Sequence, residues 1–281
     1  MRITRTIQKT REQIKYWKKD GYSIGFVPTM GYLHEGHQSL MKRSILENDK
    51  TVVSIFVNPM QFDVSDDFKN YPVNPLADME LCDETGVDLI FNPSADEMYE
   101  KDFYTFVDMN KVTEELCGKS RPDHFRGVCT VVNKLFNIVT PDSAYFGEKD
   151  AQQLAVIKKM ASDLNMDLEI VGCPTVRESD GLAKSSRNVH LNPEERKAAT
   201  ILSKAIFEGK ILIESGGQNI GKVIETMKSI IQTEPLAKID YVEIVDGSSI
   251  QKIDALEGSV LVQAAIFIGK VRLIDNFMCE L

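Results

Sequence analysis

The feature that most constrains the fold is a regular alternation of short apolar runs with amphipathic stretches in the first part of the chain. Residues 51–57 are β-branched and apolar on both faces, which is typical of a parallel strand buried within a sheet. Residues 35–46 repeat apolar side chains at the spacing of one helix face. Strands and helices in alternation require crossover connections between parallel strands. The sequence therefore predicts an α/β fold, with a parallel sheet covered by helices on both faces.

The elements of this first part can be assigned to ranges of residues. We expect strands at residues 23–27, 51–57, 87–91, 144–146 and 168–171. We expect helices at residues 35–46, 75–85, 128–139 and 151–164. In such a sheet, ligands bind beyond the carboxyl ends of the strands, so the polar segments that follow the strands are the candidates for a site.

The pattern changes after about residue 174. Helical patterns at residues 193–213 and 219–232 are followed in quick succession by strands at 239–245, 260–268 and 271–274. This order is typical of an α+β domain. We therefore expect a first domain over residues 1–175 and a smaller second domain over residues 176–281, with the boundary between 174 and 184.

Composition excludes several classes of protein. The chain has 281 residues, is 43% hydrophobic and has a formal net charge of −9, which weighs against a nucleic-acid partner unless a local basic patch overrides the repulsion. The apolar runs are too short to cross a bilayer, and the first ten residues hold no apolar stretch typical of a secretory signal. The five cysteines show no paired spacing, so we expect free thiols in a reducing cytoplasm. Cys129 falls in the apolar helix at 128–139, where inert packing is more common than nucleophilic chemistry.

The first candidate site is the segment at residues 28–37, which joins a predicted strand to a predicted helix. His34 and His37 are three residues apart, so both imidazoles point to the same side of a first helical turn. Gly36 lies between them and lets a phosphate approach the backbone, which at a helix N-terminus attracts anions. This arrangement favours nucleotidyl transfer. Capping or surface histidines are the alternative, and a metal site has no obvious third ligand.

The second candidate site is a cationic, hydroxyl-rich loop after the turn signal Asp180-Gly181. It consists of Lys184, Ser185, Ser186 and Arg187. A lysine supplies a point charge and an arginine a rigid fork, and both suit phosphate oxygens. Alone, this composition is that of a solvated loop. Together with the histidine segment, it resembles the Lys-Met-Ser-Lys-Ser loops that close over ATP.

Further polar residues follow the predicted strands. Gln61 follows strand 51–57, and Gln153 opens the helix after strand 144–146. Their uncharged amides suit a small polyhydroxy acid, although solvated side chains are the alternative. Between that strand and helix, Lys149 can neutralise phosphate. Asp150 can reach a ribose, a lysine or a magnesium ion, or can cap the helix.

Several motifs occur in one order from residue 28 to residue 276. They are Pro-Thr-Met-Gly-x-Leu-His-Glu-Gly-His, Phe-Val-Asn-Pro-x-Gln-Phe, Phe-Arg-Gly-Val-x-Thr-Val-Val-x-Lys-Leu-Phe, Phe-Gly-x-Lys-Asp-x-Gln-Gln, Arg-Glu-x-Asp-Gly-Leu-Ala-x-Ser-Ser-Arg-Asn and Arg-Leu-Ile-Asp-Asn. This set resembles the pantoate–β-alanine ligase family. The resemblance implies a Rossmann-like, doubly wound N-terminal domain of the nucleotidylyltransferase type and a C-terminal lid domain. It also implies a cytoplasmic homodimer that uses ATP and Mg²⁺ to join pantoate to β-alanine through a pantoyl-adenylate.

The resemblance further implies roles for single residues. His34, His37 and Lys149 would be catalytic, with His37 the acid-type catalyst. Gln61 and Gln153 would hold pantoate, Gln61 would also contact β-alanine, and Asp78 would contact magnesium. The ATP site would comprise Met30, Gly31, Tyr32, Leu33, His34, Glu35, Gly36, His37, Gly147, Glu148, Lys149, Asp150, Val176, Lys184, Ser185, Ser186 and Arg187. Val73 is a departure, because the family often has arginine there.

Two other functions fit parts of the pattern. An aminoacyl-tRNA synthetase or a cytidylyltransferase on the same fold predicts dependence on tRNA or a preference for CTP. A non-catalytic nucleotide-binding module predicts ATP binding without pyrophosphate release, and it leaves the placement of Gln61 and Gln153 unexplained.

Overall fold

The computed structural model describes residues 1–62, 68–217 and 219–281. The chain divides into two compact units, each assembled from three segments. Unit 1 comprises Met1–Met109, Arg121–Glu148 and Val156–Pro174. Unit 2 comprises Asn110–Ser120, Lys149–Ala155 and Thr175–Leu281.

Unit 1 is built on a six-stranded sheet in which every pairing is parallel. Its strands are β1 (Arg2–Thr4), β2 (Ile24–Thr29), β3 (Lys50–Ile55), β4 (Leu89–Phe91), β5 (Ser143–Gly147) and β6 (Glu169–Cys173). Their order across the sheet is β1-β4-β3-β2-β5-β6. The chain moves one way from β2 to β4 and the other way from β5 to β6. The strand order therefore reverses between β2 and β5, and in open α/β sheets such a switch point is where ligands bind.

The helices alternate with these strands, as predicted. The α-helices of the described residues are α1 (Ile7–Lys19), α2 (Glu35–Glu47), α3 (Pro75–Thr85), α4 (Ala95–Met98), α5 (Leu116–Ser120), α6 (His124–Val139), α7 (Ala151–Asp163), α8 (Pro193–Ala198), α9 (Thr200–Glu214) and α10 (Ile220–Ile231). Short 3₁₀ turns lie at Pro59–Gln61, Glu148–Asp150 and Ser186–His190. The elements β1 and α1 were not predicted from the sequence.

Side chains on both faces of the sheet of unit 1 are buried. On one face, Val27 and Ile90 lie in a single apolar cluster with Met41 of α2. On the other face, the ring of Phe136 in α6 lies 6.4 Å from Phe26 and 6.4 Å from Phe146. Burying a large apolar side chain contributes roughly 1.5–3 kcal/mol, so these contacts fix α2 and α6 on the strands that precede the candidate site. The predicted α/β class is confirmed.

Unit 2 contains an antiparallel sheet of β7 (Ala237–Asp246), β8 (Ser259–Ile268) and β9 (Val271–Glu280). The sheet packs against α9 and α10 in one apolar cluster that includes Leu202, Met227 and Val262. The predicted strands are confirmed and extend further than expected. The single helix predicted at 193–213 is wrong, because α8 ends and α9 begins around Ala199, although the backbone there stays helical (φ −58°, ψ −25°).

Two predictions from composition can be compared with the structure. Within the described residues, no helix is long and apolar enough to cross a membrane. All five cysteines are free thiols. Cys129 is fully buried, and burial raises the pKa of its thiol to about 12, which keeps it protonated and unreactive at neutral pH. Cys129 is therefore a packing residue.

Candidate active site

The loop between β2 and α2 holds the first group of predicted site residues. Gly31 has φ +86° and Tyr32 has φ +50°, so two consecutive residues adopt the left-handed conformation. A Cβ atom at residue 31 would lie 2.9 Å from Asp78 Oδ2. Glycine is required there on both counts: it tolerates the backbone angle, and it leaves space for the carboxylate.

Asp78 of α3 holds this loop. Its side chain is 3% exposed, and its two oxygens accept hydrogen bonds from Tyr32 N (2.9 Å) and Leu33 N (2.7 Å). Burial raises the pKa of Asp78, and the two N–H groups partly oppose that rise. A buried carboxylate that accepts two backbone bonds restrains both peptide groups, so Asp78 fixes the path of the chain into α2. This role was not predicted from the sequence.

The two histidines cap α2 with their own rings. Gly36 N donates to His34 Nδ1 (3.1 Å), and His34 N donates to His37 Nδ1 (3.3 Å), which forms a capping box. The ring centroids lie 4.1 Å apart. A nitrogen that accepts a hydrogen bond carries no proton, so each neutral imidazole is protonated at Nε2. The predicted alternatives are therefore compatible: both side chains are caps, and both have an Nε2–H donor on the far side of the ring.

The amide of Gln61 is oriented by a buried network at the end of β3. Asn58 Oδ1 accepts hydrogen bonds from Met60 N (3.3 Å) and Tyr99 Oη (2.8 Å). Asn58 Nδ2 therefore donates to Gly127 O (3.1 Å) and Gln61 Oε1 (3.1 Å). These bonds assign the amide orientations. Among the residues that the structure describes, nothing accepts a hydrogen bond from Gln61 Nε2, so this group is available to an anionic or hydroxylated ligand.

The backbone of the Pro59–Gln61 turn is held from α6. Gln61 O accepts from His124 Nδ1 (2.8 Å) and Arg121 Nη2 (3.1 Å). Gly127 lies so close to the turn that an added Cβ would be 2.2 Å from Met60 O. The sequence predicted this helix only from residue 128, whereas it begins at His124, and gave no sign of the contact with the turn. The loop after β2 and the turn after β3 therefore lie at the same edge of the sheet, each held by a separate helix.

The segment after β5 carries the next predicted residues. Gly147 ends β5, and residues 148–150 form a 3₁₀ turn in which Lys149 Nζ lies 3.6 Å from Asp150 Oδ1. The sequence left a ribose, a lysine, a magnesium ion or a helix cap as the contact of Asp150, and the structure shows the contact with a lysine.

The two glutamines that open α7 differ in their surroundings. Gln152 is 2% exposed and hydrogen-bonds Cys117 N, Val112 O and Glu115 O, so it is structural. The amide of Gln153 is partly buried and has no hydrogen-bond partner within residues 1–62, 68–217 and 219–281. The contact of Gln153 with a small ligand stays a prediction.

The second candidate site follows a short hairpin in unit 2. Arg177 and Ala183 form an antiparallel bridge, and Lys184 N donates to Val176 O (2.9 Å). The turn at residues 180–181 is as predicted, with Gly181 at φ +91°. Val176 and Lys184 therefore lie opposite one another at the open end of the hairpin, and residues 185–187 continue from it.

The polar side chains of this loop are ordered by local contacts. Lys184 Nζ lies 3.3 Å from Glu178 Oε2, across the hairpin. Ser185 Oγ accepts from Arg187 N (3.3 Å) and caps the 3₁₀ turn at Ser186–His190, while Ser186 is buried. The loop is thus a structured cationic element, and the simple solvated loop considered above does not describe it.

The predicted site residues fall in both units. Residues 30–37, 61, 78, 147 and 148 belong to unit 1, and residues 149, 150, 153, 176 and 184–187 belong to unit 2. The chain passes from one group to the other between Glu148 and Lys149.

Comparison with known proteins identifies the family. The family model described as Pantoate-beta-alanine ligase matches residues 2–278. The chain belongs to the pantoate–beta-alanine ligase family. A curated member of this family, pantothenate synthetase of Ruminiclostridium cellulolyticum, is 57% identical over 99% of this chain and 98% of its own.

Crystal structures of family members agree with the fold. Pantothenate synthetase of Thermus thermophilus matches with a TM-score of 0.94 at 41% identity, covering 99% of each chain. Pantoate–beta-alanine ligase of Francisella tularensis matches with a TM-score of 0.81 at 36% identity, covering 99% of this chain and 97% of that one. The Francisella ligase was crystallised with beta-gamma ATP and beta-alanine.

Proposed function

We propose that this chain condenses (R)-pantoate with β-alanine at the expense of ATP, giving pantothenate, AMP and pyrophosphate through a pantoyl-adenylate. Family membership supports the ligase activity. The observation that carries the proposal is the pair of imidazoles whose ring centroids lie 4.1 Å apart. Each ring accepts a backbone hydrogen bond at Nδ1 and is therefore protonated at Nε2. Two fixed donors at a helix N-terminus suit the phosphate groups of ATP.

In the first step, a pantoate carboxylate oxygen attacks the α-phosphorus of ATP in line, and pyrophosphate leaves. Negative charge shifts onto the bridging and non-bridging oxygens, where the Nε2–H groups of His34 and His37 donate. Because both Nδ1 atoms accept backbone hydrogen bonds, these donors need no reorganisation during the reaction. His37 then acts mainly as a neutral hydrogen-bond donor. Lys149, Lys184, Ser185, Ser186 and Arg187 bind phosphate oxygens.

Gln61 and Gln153 hold pantoate. Since Gln61 Oε1 accepts from Asn58, the amide offers its N–H₂ group, which can donate to a carboxylate or to a hydroxyl oxygen. Gln61 also contacts β-alanine in the second step. Its position at the carboxyl end of β3, next to the strand that leads to the histidines, supports this role.

In the second step, the amine of β-alanine attacks the carbonyl carbon of the mixed anhydride. The C–N bond forms, the C–O bond to AMP breaks, and the amine loses a proton. A bare carboxylate resists this attack because its oxygen is a poor leaving group, and adenylation removes that obstacle. The adenylate hydrolyses readily, so unit 2 serves as a lid that excludes water.

Magnesium enters the reaction bound to the phosphates of ATP. Within the described residues, no group of three or more His, Cys, Asp or Glu side chains is placed to hold a metal. Asp78, the carboxylate predicted to contact magnesium, has both oxygens engaged by backbone N–H groups. Mg²⁺ commonly binds through substrate phosphates and water, so the substrate is the MgATP complex. The contact of Asp78 with magnesium stays a prediction.

The remaining predictions extend this proposal. The residues from Met30 to Glu35, together with Gly36, line the ATP site, and Gly147, Glu148, Asp150 and Val176 contact the adenosine part. Residues 1–175 form the nucleotide- and pantoate-binding domain, and residues 176–281 form most of the lid. The enzyme acts as a homodimer in the cytoplasm, with small molecules as its substrates.

A pyrophosphate-release assay tests the proposed function. With ATP and Mg²⁺, release should require pantoate, and AMP should appear with pantothenate once β-alanine is added. CTP in place of ATP is the control that addresses a cytidylyltransferase. Binding of ATP without pantoate-dependent pyrophosphate release would instead support a non-catalytic nucleotide-binding module.

A further inference from the structure

Two consecutive polar residues on β9 are buried in a strand that is otherwise largely apolar. Asp275 is 1% exposed, and Asn276 is 8% exposed. They close the last of the motifs noted in the sequence, for which the proposed reaction gives no role. Neighbouring side chains on a strand point to opposite faces, so the two residues reach different segments of unit 2.

Asp275 holds the hairpin that leads into the cationic loop. Its Oδ2 and Oδ1 accept from Arg177 Nη1 (2.7 Å) and Arg177 Nη2 (2.9 Å), which is a bidentate ion pair. Arg177 Nη1 also donates to Gly181 O (3.1 Å), on the returning side of the hairpin. One guanidinium therefore ties both sides of the hairpin to β9, directly before Lys184.

Asn276 holds the segment after β5. Its Nδ2 donates to Lys149 O (2.8 Å). This bond fixes the peptide group of the residue that is proposed to neutralise phosphate. The next residue in the chain, Asp150, pairs with the Lys149 ammonium at 3.6 Å.

We propose that Asp275 and Asn276 are positioning residues for ATP, because they set the Lys149–Asp150 segment and the 184–187 loop against one strand at a fixed spacing. This inference rests on the proposed function. A buried ion pair adds little stability compared with apolar side chains of the same volume. The pair is therefore better explained by the placement of Arg177 and its hairpin than by the stability of β9.

The two segments contribute phosphate-binding groups from different parts of the sequence. Charge-assisted bonds to phosphate depend steeply on distance and angle, so a small shift of either segment weakens binding. A defect in positioning should therefore appear in the KM for ATP before it appears in the KM for β-alanine.

The experiment compares Asp275→Asn and Asn276→Ala with the wild-type enzyme in the full chain. Asp275→Asn should raise the KM for ATP about tenfold or more, because the amide cannot accept both bonds of the arginine fork. Asn276→Ala should raise it by about three- to tenfold, because one neutral hydrogen bond is lost. The KM for β-alanine should stay within about twofold in both variants. Arg177→Lys, which keeps the charge but not the fork, should give an intermediate KM for ATP.

Asp240→Asn is the matched control. It removes another ion pair of unit 2, that between Asp240 and Arg272 of β9 at 2.7 Å, and it contacts neither ATP segment. Its KM for ATP should stay within about twofold of the wild type. The urea midpoint of each variant shows whether the substitution lowers the stability of the protein. A raised KM for ATP with an unchanged midpoint indicates that the phosphate-binding segments have moved.

Three outcomes overturn the inference: an unchanged KM for ATP in Asp275→Asn and Asn276→Ala, equal rises in the KM values of all substrates, or a similar rise in Asp240→Asn. Should Asp275→Asn fail to fold, Asn276→Ala decides the question, since it buries no unpaired charge. A wild-type enzyme without pantoate-dependent pyrophosphate release would refute the proposed function instead, so the two failures are distinguishable.

Discussion

At the scale of single residues, the proposed reaction gives His34 and His37 a second task beside the capping that the structure shows. Each ring uses Nδ1 to cap the backbone at the start of α2, which leaves Nε2 to carry the proton. If Nδ1 were protonated, it could no longer accept the backbone hydrogen bond, and its N–H group would face the backbone N–H group. The helix terminus by itself therefore accounts for the spacing of the two histidines, and the proposed contact with phosphate uses the ring nitrogens that capping leaves over.

Substitutions at His37 can separate capping from catalysis. Asparagine places Oδ1 where the imidazole has Nδ1, so His37→Asn should keep the cap and lose the Nε2–H donor. We expect its free energy of unfolding to stay within about 0.5 kcal/mol of the wild type, whereas His37→Ala should lose about 1 kcal/mol. Both variants should slow adenylation by about 100- to 1,000-fold with little change in pantoate affinity.

Single-turnover pyrophosphate release measures the rate, and calorimetry measures pantoate binding. Near-normal adenylation by His37→Asn would remove the side chain from its proposed role. A loss of pantoate affinity as large as the loss of rate would point to a binding role instead.

Asp78 can be tested in the same way. Asp78→Asn can accept only one of the bonds from Tyr32 N and Leu33 N, and its amide N–H₂ opposes the other. We expect kcat/KM to fall about 10- to 100-fold, as for the loss of one hydrogen bond to a charged group. Stability should change less, because the substitution also removes a buried charge whose pKa is raised by burial. Raising the Mg²⁺ concentration should not restore activity, and a rescue by Mg²⁺ would favour the metal contact.

The sequence singled out candidate site residues but not the residues that hold them in place. His34, His37 and Gln61 are candidates because their residue types and their positions after strands favour ligand binding, and their roles stay predictions. Asp78 as a loop clamp and Tyr99 as a partner of Asn58 were not predictable, because each acts on a residue more than 40 positions away. No periodic pattern reports such a contact.

At the scale of elements, prediction succeeded where burial on two faces leaves an apolar run. It failed for β1, a strand of only three residues with one of them buried, at the edge of the sheet. It also missed α1, in which Thr10, Ile14 and Trp17 are the buried positions, so a threonine interrupts the apolar stripe. The break between α8 and α9 was hidden because residues on both sides are good helix formers.

The contact of α6 with the Pro59–Gln61 turn gives a prediction in which two effects compete. In a helix interior, Gly→Ala usually stabilises by about 1 kcal/mol. At Gly127, however, the new methyl group would lie 2.2 Å from Met60 O and 2.7 Å from Gln61 Cα, so the turn must move. We expect a net loss of about 1–3 kcal/mol in the free energy of unfolding, as for overpacking, and a raised KM for pantoate.

Gly221→Ala is the control, since among the described residues a methyl group there meets only Asn219 Oδ1, at 3.3 Å. Its free energy of unfolding should stay within about 1 kcal/mol of the wild type. Urea denaturation provides both values. A stabilised Gly127→Ala variant with a normal KM for pantoate would contradict the assigned contact.

At the scale of the whole molecule, the sequence predicted two regions of different pattern but not how the chain divides between them. Composition changes only once, near residue 174, whereas unit 2 also includes residues 110–120 and 149–155. These segments join it through isolated tertiary contacts. Gln251 Nε2 donates to Lys111 O (2.8 Å), and Cys117 Sγ lies 3.1 Å from Tyr241 Oη. Pairs separated by more than 100 residues leave no trace in local patterning.

This division predicts how a fragment of residues 1–174 should behave. The fragment keeps the strands of unit 1 but lacks Gln251 and Tyr241, as well as Lys252, which lies 3.5 Å from Glu115. Contacts from Asp240, Gln263 and Arg272 to the same segment are lost as well. At roughly 0.5–1.5 kcal/mol each, the first three contacts alone correspond to about a hundredfold loss of protection against hydrogen exchange at residues 110–120. Exchange measured by mass spectrometry should show this loss, while peptides from β2 and β3 should exchange as slowly as in the full chain. Equal protection of residues 110–120 in both forms would mean that this segment is stabilised within residues 1–174, and that a single cut near residue 174 separates two complete domains.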